Sequence, residues 1–300
     1  MGMIEQKFIV SPFSILDTKQ GYWQNRKRFW LNKGIRSEIG RDAACLPSGF
    51  DETKYGKKMS QSTSIFDPVL CELMYKWFCI DNGKILDPFA GGSVRGIVAS
   101  LLDYNYTGID LSKTQINANI EQTKTICKDT APIYINGDSN IELDNLENEK
   151  YDLIFSCPPY FNLEVYSNEN GELSAMNYNN FLIAYNNIIK KSLTKLKNNS
   201  FAIFVVGDVR DKQGFYVNFV EDTVKLFEKN GAKKYNELIL VNAIGSLPIR
   251  ITKQFNGGRK IGKMHQNILV FYKGDPKNIK NKFDAFIYKT QQTSLSDYYE

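Results

Sequence analysis

The sequence predicts an α/β fold built on a mainly parallel sheet with an antiparallel edge strand. Three observations predict it. From Phe66 onward, short apolar segments alternate with longer segments of helical period. Several of the short segments are apolar on both faces, as strands covered by helices on both sides must be. The last two strand-like segments have no helical pattern between them, so they should pair antiparallel.

The elements follow in order. FDPVLCELMYKWF, starting at Phe66, reads as a helix capped by Asp67 with Pro68 at its first position. KILDPF is a strand running into a turn, and GGSVRGIVASLL opens on glycines and continues as a helix. YTGID is a strand, KTQINANIEQTK an amphipathic helix, APIYINGD a third strand and YDLIFSCPP a fourth. YNNFLIAYNNIIKKSLTKL is a helix, SFAIFVVGD a fifth strand, and FYVNFVEDTVKLFEKNGA a helix with a glycine stop. KYNELILVN and NILVFYKGD are the two late strands. Between them AIGSLPIRITKQFNGGRKIGKMHQ reads as a long, basic, glycine-bearing loop.

These patterns divide the chain. Residues 1–60 form a basic, aromatic N-terminal extension, 61–275 the main domain with the basic loop at about 243–265, and 276–300 a polar tail. Within the extension, Trp23, Phe29 and Trp30 interleave with Arg26, Lys27, Arg28 and Lys33.

Composition bounds the function. The chain has 300 residues, 42% hydrophobic, enough for a substantial core. A net charge of +5 is compatible with a polyanionic partner. Five cysteines with no CxxC pair and a single histidine, His265, speak against a zinc site, so no metal is expected. Scattered thiols suit a reducing compartment. The N-terminus lacks a signal-peptide pattern and no apolar run approaches the ~18 residues of a membrane span. The expectation is a cytoplasmic protein without a membrane partner.

Two constellations carry chemistry. The first strand ends in Asp87-Pro88-Phe89-Ala90-Gly91-Gly92-Ser93, where glycines allow a sharp turn and close approach to a ligand. Ligands of open parallel sheets bind beyond the strands' carboxyl ends, where strand order reverses. Asp110, followed by Leu111, ends the next strand and is placed for ribose hydroxyls; Asp138, followed by Ser139, ends the third and is placed for an adenine amino group. No GxxxxGK[ST] or GxGxxG is present, which disfavours a polyphosphate. Acids at successive strand ends suit a cofactor with a ribose and a cationic amino-acid part, such as S-adenosylmethionine. The fourth strand ends in Ser156-Cys157-Pro158-Pro159-Tyr160. Two prolines cannot continue a central strand; they stiffen the chain and leave carbonyls free to accept.

Together these motifs resemble the DNA methyltransferases that modify cytosine N4 or adenine N6, in particular phage-type modification methylases. The resemblance rests on SxFDPxL, LDPFAGGSVRG, SCPPY, VGD and HQNILVFYKGD and runs from about Ser64 to Asp275. It implies a Rossmann-like S-adenosylmethionine-dependent methyltransferase acting on double-stranded DNA, and it allows for a restriction partner. Tyr160 would stack on a flipped-out base and the Pro158 carbonyl would accept from its amino group. Cys157, Pro159 and Ser156 complete the candidate catalytic set, and Glu164 and Tyr166 are further pocket candidates. Asp87, Pro88, Phe89, Gly91, Ser93, Asp110, Leu111, Asp138 and Ser139 would line the cofactor, with Phe66 and Asp67 at its methionine end. One departure stands out. Cys157 occupies the position usually held by Asp, Asn or Ser, and a thiol is a poor acceptor; packing beside the base is its expected role. Ser156, one place earlier, tilts the target toward cytosine N4.

RNA and protein-glutamine methyltransferases share the fold and the Pro-Pro-Tyr loop, usually as Asn-Pro-Pro-Tyr, and remain an alternative. So does an inactive nucleic-acid-binding subunit with Cys157 as its lesion. For DNA contact the candidates are Arg250, Lys253, Arg259, Lys260 and Lys263, with Trp23 to Arg36 adding groove contacts or stacking.

Overall fold

The structure is a computed structural model that describes residues 10–36, 66–127, 130–159, 176–244 and 247–284. Among these residues eight strands form one sheet: β1 (Ile15–Asp17), β2 (Lys84–Asp87), β3 (Asn105–Asp110), β4 (Ile133–Asn136), β5 (Tyr151–Ser156), β6 (Leu196–Val206), β7 (Lys233–Val241) and β8 (His265–Lys273). Their order is β1-β7-β8-β6-β5-β2-β3-β4. β8 runs antiparallel to both of its neighbours, and every other pairing is parallel. The reversed strand therefore sits between β6 and β7, and the short β1 takes the edge beyond them. The fold is Rossmann-like.

Strand side chains alternate between two cores. Ile85, Leu153, Phe155, Ile268 and Val270 enter one; Leu86, Ile154, Leu269 and Phe271 enter the other. That is why these strands read as continuous apolar runs. On the first face pack α1 (Gly21–Leu31), α2 (Pro68–Phe78) and α3 (Val94–Leu101); on the second, α6 (Tyr178–Lys195) and α7 (Phe219–Lys229). α4 (Lys113–Ile126) and the short α5 (Ser139–Glu142) flank β3 and β4.

α2 forms as its sequence requires. Asp67 accepts from the Val69 N–H at 2.9 Å, Pro68 occupies the first turn, and buried positions recur along it. The stretch Ile15–Leu31, read from sequence as part of an extension, contributes strand β1 and helix α1. Leu16, Trp23 and Trp30 are buried in the first core. Arg26 makes a buried ion pair with Glu72 of α2, at 2.7 and 2.8 Å, and the Trp30 indole donates to the same carboxylate at 2.8 Å. Trp23, Arg26 and Trp30 thus serve packing between helices, and the expectation of groove contacts or stacking from Trp23 and Trp30 is corrected. Burial opposes ionisation of Glu72, but Arg26 and Lys76 outweigh it and hold the carboxyl below its ordinary 4.5.

The stretch between β7 and β8 also differs from expectation. It contains a helix, α8 (Leu247–Gly258), where composition suggested a loop. Leu, Ile, Thr, Gln and Phe supply a helical pattern that the closing glycines end. No described helix is long and apolar enough to cross a membrane.

Candidate active site

The chain steps from β2 to β3 to β4 on one side, then returns to place β5 on the other side of β2 and β6 beyond it. Strand order therefore reverses between β2 and β5, and the loops leaving their carboxyl ends meet there. They are bonded to each other: Ser156 Oγ donates to Asp87 Oδ1 at 2.5 Å. Asp87 is fully buried and accepts three further donors, from Arg95 Nε at 2.5 Å, the Tyr106 hydroxyl at 2.7 Å and the Phe89 N–H at 3.1 Å.

Arg95, in the first turn of α3, moulds the loop from beneath. Its Nη2 donates to the carbonyls of Phe89 and Ala90 at 2.5 and 2.9 Å, and its guanidinium lies 4.5 Å from the Phe66 ring centroid. Burial opposes its charge, yet Asp87 and the Tyr106 hydroxyl hold its pKa above the ordinary arginine value. A buried pair tied into the loop by this many bonds is a rigid frame, and losing either partner would strand the other's charge.

Above this frame the backbone turns at Gly91, whose φ of +51° favours glycine. The Gly91 N–H donates to Asp110 Oδ2 at 2.8 Å, and its carbonyl accepts from Asn119 Nδ2 at 2.7 Å. Asp110 Oδ1 accepts from the Ser112 N–H at 2.9 Å. Each carboxylate oxygen keeps a second acceptor site for a ligand hydroxyl. Burial pushes the Asp110 carboxyl up, against the lowering effect of the two backbone donors. Asp138 caps α5: its Oδ1 accepts from the Asn140 N–H at 2.8 Å, and among the described residues none bonds its Oδ2. Ser139 Oγ donates to the Pro88 carbonyl at 2.6 Å and ties this third loop to the first.

The expected cofactor residues divide into two groups. Phe66, Asp67, Phe89, Gly91, Asp110, Leu111 and Asp138 are partly exposed, whereas Asp87, Pro88, Ser93 and Ser139 are buried. Asp87, Ser93 and Ser139 turn their side chains into the protein; Ser93 Oγ donates to Gln122 Oε1 at 3.2 Å. This corrects the reading that placed them along a ligand. The Asp67 carboxylate is also engaged, by the Trp23 indole at 3.2 Å and Lys27 at 3.0 Å besides its cap. Sequence reasoning missed Arg95, Tyr106 and Asn119. The only signal for Arg95 was a cation at an inward helical position straight after the glycine turn.

The reaction loop continues from the same point. Ser156 is fully buried, and its hydroxyl donates to Asp87 inside the protein, away from any target amino group, so the tilt toward cytosine loses its ground. Cys157 is half-buried and packs against the first core. Pro158 is buried and Pro159 half-buried. Tyr160, Glu164 and Tyr166 lie outside the described residues.

Of the cationic candidates, Lys253, Arg259 and Lys260 are exposed on α8 and the stretch after it. Lys263 is half-buried, and burial lowers its pKa against the pull of Asp208 and Glu221. The Arg250 side chain is outside what is described. His265 is exposed at the start of β8. Asp208 accepts from the Val220 N–H at 3.1 Å. No cluster of metal-binding side chains occurs among the described residues.

No protein-family model matches the chain. No curated protein matches it. Solved structures do. TrmN from Thermus thermophilus aligns at 12% identity over 69% of this chain and 49% of that one, with a TM-score of 0.45. TTHA0409, a candidate DNA modification methylase from the same organism solved with S-adenosyl-L-methionine, aligns at 19% identity over 52% and 57%, with a TM-score of 0.36. The 4+2 cyclase SpnF aligns at 14% identity over 69% and 80%, with a TM-score of 0.49. The chain spans about half the length of TrmN and of TTHA0409. At these identities the likeness concerns the fold alone and carries nothing about ligand or reaction.

Proposed function

We propose that the chain is an S-adenosylmethionine-dependent methyltransferase that modifies an exocyclic amino group of a base in double-stranded DNA. The observation that carries the reading is the pairing, at one switch point, of a partly exposed Asp110–Gly91 unit with the Cys157-Pro158-Pro159 loop. The residues present fit the cofactor. Asp110 retains acceptor sites for both ribose hydroxyls, and the unbonded Asp138 Oδ2 suits an adenine amino group. Gly91 lets the backbone approach closely, and Phe89 and Leu111 offer apolar contact. When bound, the cofactor supplies an electrophilic methyl group on a sulfonium.

The chain's own part is positioning. Tyr160 stacks on a base taken out of the helix, and the Pro158 carbonyl accepts one amino hydrogen, which aims the nitrogen lone pair at the methyl group. The amino nitrogen held by the Pro158 carbonyl would take up that methyl group, and the displaced amino proton would go to solvent. Buried Ser156 gives no help in choosing between cytosine N4 and adenine N6, so the base is read by experiment.

Expression in a methylation-free host, with the modified bases mapped by sequencing, tests the reading. N4-methylcytosine or N6-methyladenine in host DNA is expected, and Tyr160→Ala and Asp110→Ala each abolish it. Unmethylated DNA with a labelled methyl group in RNA or protein pools would overturn it. So would full activity in both variants.

A further inference from the structure

We infer that the turn after β6 and the stretch following α8 form a second nucleic-acid contact, in which Phe215 stacks on an unstacked base and the flanking cations hold phosphates. The inference rests on the proposed nucleic-acid substrate and adds a site outside the cofactor and Pro-Pro loops.

The turn is rigid. Arg210 and Tyr216 form a β-bridge, the Asp211 N–H donates to the Phe215 carbonyl at 2.9 Å, and the Val217 N–H donates to the Val209 carbonyl at 3.1 Å. Asp211 Oδ1 accepts from the N–H groups of Gly214 and Phe215 at 2.7 and 2.9 Å. Arg210 donates to the Gly214 carbonyl at 2.8 Å, and its guanidinium lies 3.9 Å from the Tyr216 ring centroid. At the tip of this frame Phe215 is 70% exposed. A turn bonded this fully holds an apolar ring in water at a defined place.

One exposed aromatic is ordinary surface. The cations around it supply the second observation. Lys260 crosses the turn so closely that a Cβ at Gly214 would come within 2.8 Å of its Nζ, and Gly214 itself has φ +97°. Arg259, just past the end of α8, lies 5.0 Å from the ring of Phe255 on that helix, a second cation–aromatic pair. Lys212 and Lys253 are exposed as well. Of the nearby acids, Asp211 is bonded within the turn, Asp208 accepts from Val220, and Glu221 faces Lys263. Flat rings interspersed with cations match a strand of unstacked bases joined by phosphates. Placement agrees: β5, β6 and β7 share one direction, so the turn after β6 and α8 after β7 leave the same sheet edge as the Cys157 loop.

Anisotropy titrations of the full chain with fluorescein-labelled single-stranded DNA and RNA oligonucleotides, at several salt concentrations and without cofactor, test this. Phe215→Ala should weaken binding roughly 5- to 150-fold with the salt slope unchanged, the range set by loss of one base–aromatic stack. Phe215→Trp should retain affinity, which a merely structural role does not require. Lys260→Gln should lower the salt slope by about one. Unchanged affinity in Phe215→Ala, or no oligonucleotide binding by the wild type, overturns the inference. The two readings separate cleanly. Methylation with unaltered binding in Phe215→Ala removes this contact and leaves the proposed activity standing. Weakened binding in that variant, with no nucleic acid methylated by the wild type, does the reverse.

Discussion

Asp87 and Asp110 end neighbouring strands in the same way, yet the structure gives them opposite tasks. Asp87 faces inward and is saturated by Arg95, Tyr106, Ser156 and a backbone N–H, whereas Asp110 is a partly exposed residue whose carboxylate is held by two backbone N–H groups. A prediction follows for Asp110. Because burial raises its pKa above the ordinary 3.8, it loses its charge at a higher pH than a free aspartate would. Cofactor affinity should therefore fall as pH drops through that raised value. Calorimetry between neutral and mildly acidic pH checks it: the wild type weakens on acidification, and Asp110→Asn is weak and flat. A wild-type affinity indifferent to pH over that range would remove Asp110 from the cofactor site. The sequence showed that both acids stood at strand ends, but not which one water could reach. That depends on Tyr106 of β3 and Ser156 of β5, which reach Asp87 from the strands on either side of β2.

At the scale of elements, α1 and α2 are clasped by one buried carboxylate. Glu72 is inaccessible and holds Arg26, Lys76 and the Trp30 indole. Glu72→Gln leaves Arg26 buried without its counter-charge and should cost about 3–5 kcal/mol in urea unfolding at neutral pH. The sign of its pH dependence is set by the lowered folded pKa. The stabilisation is complete above the ordinary value of 4.5 and is lost as pH falls through the lower folded value. The gap between wild type and variant should thus be full at pH 7 and narrow below pH ~4.5. A gap that stays constant on acidification would show that packing, not charge, joins the helices. The local signals of α2 were legible, but α1 was read only as part of an extension, and its Trp23, Arg26 and Trp30 read as a surface. Composition cannot distinguish a cation facing a phosphate from one facing a buried glutamate 46 positions away.

For the whole molecule, the sheet extends to β1, which pairs with β7 and carries Leu16 into the core beside Trp23 and Trp30. Removing residues 1–32 should therefore unfold or aggregate the chain rather than trim an appendage. It bares the β7 edge and takes two fully buried tryptophans out of the core, where losing even one such side chain costs about 3–5 kcal/mol. Solubility and cooperative melting of the truncated chain are the measurements. A truncated protein that melts like the full chain would make these residues dispensable.

What the sequence by itself determined is local and periodic: the alternation of strands and helices, the glycine turn after β2, the acids at strand ends and the proline stop after β5. Each is carried by neighbouring residues, so it needs no knowledge of distant partners. What only the tertiary structure decided is which side chains meet across the chain. It turned Asp87, Ser93 and Ser156 inward, put Trp23 and Trp30 of α1 into the core, set β8 between β6 and β7, and brought Lys260 over Gly214. The physical reason is that a polar group is buried only where its partners converge, and here they come from distant parts of the chain, as Asp87 and Ser156 do across 69 positions.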